Sequence, residues 1–94
     1  MGIEITPGLV EIFGKLDYAR SVPRDDLKAR GEARKAIDSI TADLRERYFD
    51  AISVDGQEIL GIKLAEVNDL IVEIVDKRKG LTLERAKRIL DLTT

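Results

Sequence analysis

The sequence contains no cysteine and no histidine, and these two absences exclude several classes of chemistry. Without cysteine the chain has no disulfide, no thiol nucleophile and no thiolate metal site. Without histidine it lacks the commonest general base and the commonest transition-metal ligand. We therefore expect a protein that is not an enzyme and that holds neither a metal nor a cofactor. We recognise no family in the sequence.

Aromatic residues and long apolar runs are also scarce. The chain has two Phe, two Tyr and no Trp, so its core must be built from aliphatic side chains. No apolar run approaches the roughly 20 residues that a membrane helix needs. Residues 1–10 lack the basic region that precedes the apolar stretch of a secretory signal. These features, with the absence of cysteine, predict a cytoplasmic protein with no membrane contact.

The charge is unevenly distributed along the chain. The net charge of −2 is the sum of −1 over residues 1–23, +1 over 24–49, −6 over 50–76 and +4 over 77–94. An acidic middle is therefore followed by a basic end, and such asymmetry is informative about partners.

The apolar spacing predicts four helices in one small domain over residues 1–94, a mainly α fold around one aliphatic core. Thr6 and Pro7 suit the start of the first helix, and Thr82 suits the start of the fourth. A second helix should begin near Pro23 or Asp25, with its first turns projecting from the core. Two heptad-like seams run along the second and third helices: Ala33, Ile37, Ile40, Leu44 and Tyr48 on the second, and Leu60, Leu64, Val67, Ile71 and Ile74 on the third.

Between these two helices, Asp55-Gly56 matches the preferred two-residue type I′ turn of a β-hairpin. Pairing outward from that turn sets Ile52 against Ile59 and puts Val54 on the same face, where it could pack on the helices. The pattern favours a short β-hairpin at Asp55-Gly56. The alternative is a plain loop between two helices at the same place.

Two charged clusters are candidate contact sites. The acidic face comprises four carboxylates on the third helix, which are typical of a solvated face but could take part in an interaction: Glu66, Asp69, Glu73 and Asp76. The basic cluster comprises six cations within twelve residues: Lys77, Arg78, Lys79, Arg85, Lys87 and Arg88. The cluster spans a helix end, a turn and a second helix, so the segment 77–90 resembles a helix-turn-helix reader of nucleic acid.

We interpret the protein as a small interaction module that associates with itself through its amphipathic helices and serves as an assembly or adaptor component. The partner would be a second copy or another protein, with the third helix and the hairpin nearest the contact. A small chain buries only about 60–65% of its unfolded surface, so a shared apolar seam would add stability. Nucleic-acid binding through the basic cluster is the alternative, although the overall pI of 5.2 is acidic for that class.

Overall fold

Four helices make up the fold in the computed structural model, which describes residues 2–77 and 79–94. They are α1 (Pro7–Ser21), α2 (Leu27–Asp50), α3 (Val54–Val75) and α4 (Leu83–Thr93). The prediction of four helices, with the second and third longest, is confirmed. Every helix contacts the other three, and consecutive helices are joined by short connections.

Each helix begins at a side chain that accepts a hydrogen bond from a backbone N–H of the first turn. Thr6, Asp26 and Thr82 cap α1, α2 and α4, by accepting from the amides of residues 9, 29 and 85. Ser53 caps α3 in the same way, with its Oγ 3.0 Å from the amide nitrogen of Gly56. Capping satisfies donors that have no partner inside the helix, and each cap contributes on the order of 1 kcal/mol.

The core is one aliphatic cluster to which all four helices contribute, as predicted. The predicted seams supply much of it, and Leu44 of α2 and Val67 of α3 are fully buried. Burying a side chain of this size stabilises the fold by about 1.5–3 kcal/mol. The buried members of the cluster are Leu9, Ile12, Leu16, Ile40, Leu44, Val67, Ile71, Ile74, Ala86, Ile89 and Leu92.

The predicted β-hairpin at Asp55-Gly56 is wrong. Neither residue is in a β-turn, because both are helical residues at the start of α3. No strand occurs in the parts of the chain that the structure describes. The chain reverses earlier, at 51–53, where Ala51 and Ser53 are extended. The alternative of a loop at Asp55-Gly56 is likewise wrong about where the turn lies.

The physical reason is the capping side chain two residues before Asp55. Ser53 satisfies the amide of Gly56, and Asp55 places its charge at the positive end of the helix dipole. Starting the helix there adds a hydrogen bond for each further residue, whereas an isolated two-stranded hairpin is marginal in water. Helix formation therefore outweighs the turn preference of Asp-Gly.

The first turns of α2 extend beyond the core, as predicted: Leu27 is 77% exposed, and the first residue of the helix to be buried is Ala33. Across the described residues, none of the helices combines the length and the apolar character needed to cross a bilayer.

Candidate interaction surfaces

Most cations of the predicted basic cluster contact an acceptor in the same chain. Arg88 donates from Nε and Nη2 to Glu66 Oε1, at 3.0 and 2.7 Å, and so joins α4 to α3. Arg85 donates to the backbone carbonyl of Gly80. Lys87 pairs with the carboxylate one turn later on α4, and Lys79 Nζ lies 3.9 Å from a carboxylate oxygen of α3. Lys77 is exposed, and Arg78 lies outside the described residues.

The four acids of the predicted acidic face differ in their surroundings. Glu66 and Glu73 pair with cations that follow α3 in sequence, Arg88 and Lys79. Asp69 is exposed, and Asp76 lines a groove bounded by α1 and α2. Two of the four acids are therefore paired with cations of the same chain. Among residues 2–77 and 79–94, no acidic side chains are grouped closely enough to hold a metal ion.

A group of exposed large apolar side chains occupies the end of the α2–α3 pair where the chain turns. Phe49, in the last turn of α2, is 75% exposed, and Ile52, in the turn, is fully exposed. We call this surface the tip, and it consists of Phe49, Ile52, Val54, Ile59 and Ile62. Single exposed apolar residues are ordinary, but these five lie within fourteen positions of the chain around one turn, and clustered apolar exposure is typical of contact sites.

Sequence reasoning named three of the tip residues but placed them wrongly. In the expected hairpin, Ile52, Val54 and Ile59 shared a face turned toward the helices. With α3 beginning at Val54, the seam that starts at Leu60 faces the core and Ile59 lies outside it. The signal that could have located the tip is Ser53, since a cap there fixes the helical register of everything that follows.

At the opposite end of the α2–α3 pair lies a half-open groove of about 960 Å³. We call this surface the groove. Its lining is largely apolar and comes from the end of α1, the first half of α2 and the second half of α3; it includes Val22, Leu27, Ala33, Ile37, Val72 and Val75. Gly31 of α2 lines the groove, and a Cβ added there would meet nothing within 4 Å.

The α2 side of the groove is basic. Arg24, Arg30 and Arg34 all line it. Arg30 donates from Nη1 to the backbone carbonyl of Arg24 at 3.2 Å, and Arg34 Nε lies 3.4 Å from Asp38 Oδ1. All three arginines are exposed. In the sequence, Arg30 and Arg34 occupy the face of α2 on which the apolar seam would continue toward the N-terminus of the helix. This break in the apolar pattern was the available signal for the groove.

The phenol of Tyr18 departs clearly from its ordinary behaviour. Partial desolvation, then the charge of Glu32 and the hydrogen bond from Tyr18 Oη to Glu32 Oε2 at 3.4 Å, raise the pKa of the Tyr18 phenol. The carboxylate of Asp26 acts in the same direction. This contact links α1 to the first half of α2, near the groove.

Comparison with known proteins adds no relative to these observations, because no family model, no curated protein and no solved structure matches the chain.

Proposed function

We propose that this chain is a non-enzymatic, self-associating interaction module that serves as an assembly or adaptor component. The observation that carries the proposal is the tip, in which five large apolar residues within fourteen positions of the chain are each more than half exposed.

The size of the tip supports a protein partner. Each of the five residues is between 57% and 104% exposed, and large exposed apolar patches mark sites of protein contact. A standard protein interface buries about 800 Å² on each partner. The tip would supply apolar area to one side of such an interface, and covering it removes that area from water.

The experiment is sedimentation velocity on the intact chain over a wide concentration range. We expect the mass to rise above the 10.5 kDa of one chain as concentration increases. Ile52→Ser should weaken the association at least tenfold, since it removes the most exposed apolar side chain of the tip. Leu83→Ser is the matched control: Leu83 is 42% exposed but begins α4, away from the tip. A wild-type mass that stays at 10.5 kDa at every concentration would refute self-association.

Nucleic-acid binding stays a prediction with less to support it. Four of the five described cations of the basic cluster have an acceptor within the chain, so reaching a phosphate would mean giving up an existing contact. Fluorescence anisotropy at low salt, with duplex and single-stranded probes, tests this alternative. A binder should lose affinity as salt rises and when Arg85 and Arg88 are replaced by Ala.

A further inference from the structure

We infer that the tip of one copy binds in the groove of the next, so that copies associate head to tail. This inference rests on the proposed self-association and adds its geometry: which surface meets which.

The positions of the two surfaces exclude closure within one chain. Leu27 is the first residue of α2 and Phe49 is in its last turn, so they are separated by about 33 Å along one rigid helix. A chain cannot bring its own tip to its own groove over that distance. The contact must therefore be made between copies.

Charge decides between a tip-to-groove and a tip-to-tip contact. The segment 49–62, which contains the tip, carries three acids and no cation: Asp50, Asp55 and Glu58. The groove is lined by three cations and two acids: Arg24, Arg30, Arg34, Asp38 and Asp76. A tip-to-tip contact would place −3 against −3, whereas a tip-to-groove contact places −3 against a net +1. Complementary charges favour the second arrangement and like charges oppose the first.

Size and lining agree with this choice. A volume of about 960 Å³, lined in part by apolar side chains, can take several large side chains, and pockets that bury most of a ligand have about 300–1,000 Å³. Phe49 and Ile52 are well placed to enter, because they lie in the last turn of α2 and in the turn that follows it and are 75% and 104% exposed.

A contact between two different surfaces has a structural consequence. Each bound pair still carries one unused tip and one unused groove, so association continues until a ring closes or a filament forms. A symmetric contact through one surface would stop at a dimer.

The decisive experiment uses two variants, each with one damaged surface. The groove variant is Leu27→Asp with Arg30→Glu. Both positions lie in the first turns of α2, where the helix dipole favours acids, so the fold should be retained. The tip variant is Phe49→Lys, in the last turn of α2, where cations are favoured, with Ile52→Lys in the turn, where the side chain is fully exposed. Circular dichroism and thermal melting verify that both variants fold.

Each variant alone should sediment at 10.5 kDa at concentrations where the wild type is larger. Mixed in equal amounts, they should form a species of twice that mass and no larger one, because only one intact tip and one intact groove remain to meet. If the wild type associates and the mixture stays monomeric, the head-to-tail contact is refuted while self-association stands. If the groove variant alone associates as the wild type does, the groove is no part of the interface and the inference fails.

Single cysteines provide an independent measurement, which is free of background because the chain has none of its own. Leu27→Cys and Ile52→Cys chains are mixed, oxidised and analysed by mass spectrometry. A head-to-tail contact predicts that the mixed disulfide exceeds both homodimers severalfold. A predominance of the Ile52→Cys homodimer would show a tip-to-tip contact and overturn the inference.

Discussion

Arg88 on α4 donates two hydrogen bonds to a single carboxylate oxygen, Glu66 Oε1 on α3, from 22 residues further along the chain. This contact joins a member of the predicted basic cluster to a member of the predicted acidic face. The two clusters therefore partly neutralise each other inside one molecule. The tip and the basic side of the groove remain as the candidate surfaces for contact with a partner.

The Arg88–Glu66 pair should contribute little to stability. Its side chains are 55% and 41% exposed, so solvent screens the attraction and the pair should be worth about 0.2–1 kcal/mol. A double-mutant cycle with Arg88→Ala and Glu66→Gln, followed by urea unfolding, measures it. Lys77→Ala, at an exposed cation after α3, is the control. A coupling of about 3 kcal/mol would show that the pair holds α4 in place.

Leu44 should be among the most costly core positions to truncate. It is fully buried on α2 where the seams of α2 and α3 meet, so Leu44→Ala should lower the free energy of unfolding by about 2–5 kcal/mol. Leu27→Ala on the same helix is the matched control, because Leu27 is 77% exposed and its truncation should change stability by less than about 0.5 kcal/mol at concentrations where the protein is monomeric. Equal losses at the two positions would contradict the assigned core.

The two seams and two of the four helix starts could be predicted because they depend on local order in the sequence. Thr6 and Thr82 are caps that act within four residues, and the spacing from Leu60 to Ile74 specifies a helical face directly. The error at Asp55-Gly56 arose where two local signals compete: a turn dipeptide and the cap at Ser53. To decide between them one must compare the stability of an isolated two-stranded hairpin with the stability that two further helical turns add to α3.

The candidate surfaces were harder to predict. The groove depends on where three helices diverge, and nothing in the sequence near Arg30 specifies how far α1 and α3 lie from it. The tip depends on the register of α3, so the wrong start for that helix turned Ile52 and Ile59 toward the core instead of toward water. The charges of both regions were visible in the sequence, but their places at opposite ends of one helix pair were not.

Tyr18 should ionise above the pKa of 10.0 that is ordinary for a tyrosine. Because the pKa is raised in the folded state, the neutral phenol is favoured by folding. The resulting stability is present in full below pH 10 and is lost as the pH rises through the higher folded pKa. Absorbance titration at 295 nm in a Tyr48→Phe background isolates this group.

The cause of the Tyr18 shift can be separated by one substitution. Glu32→Gln removes the carboxylate that accepts the hydrogen bond from the Tyr18 phenol, so the Tyr18 pKa should fall toward 10.0. It should not reach 10.0, because desolvation is the largest cause of the shift and Asp26 remains. Asp38→Asn, on the same helix, is the control and should leave the pKa unchanged. An unchanged pKa in Glu32→Gln would exclude this contact as a source of the shift.

The α3 cap makes a prediction about Gly56 that also discriminates helix from hairpin. A Cβ added at Gly56 would lie 2.7 Å from Ser53 Oγ, so Gly56→Ala must displace the capping hydroxyl. Alanine should gain about 0.5–1 kcal/mol over glycine within a helix, but losing the cap should cost about 1 kcal/mol. In the wild-type background these effects nearly cancel. In a Ser53→Ala background the cap is already gone, and Gly56→Ala should then stabilise the protein by about 0.5–1 kcal/mol.

Urea unfolding of the wild type, the two single variants and the double variant measures this coupling, which should be on the order of 1 kcal/mol. Gly8→Ala on α1 is the control, because the Cβ there would meet Leu90 Cδ1 at an ordinary 3.4 Å and touches no cap. Equal stabilisation by Gly56→Ala in both backgrounds would show that the cap tolerates the added methyl group. A loss of 1 kcal/mol or more in both backgrounds is the behaviour of a glycine that needs positive φ, and it would restore the turn at Asp55-Gly56 that the helix replaces.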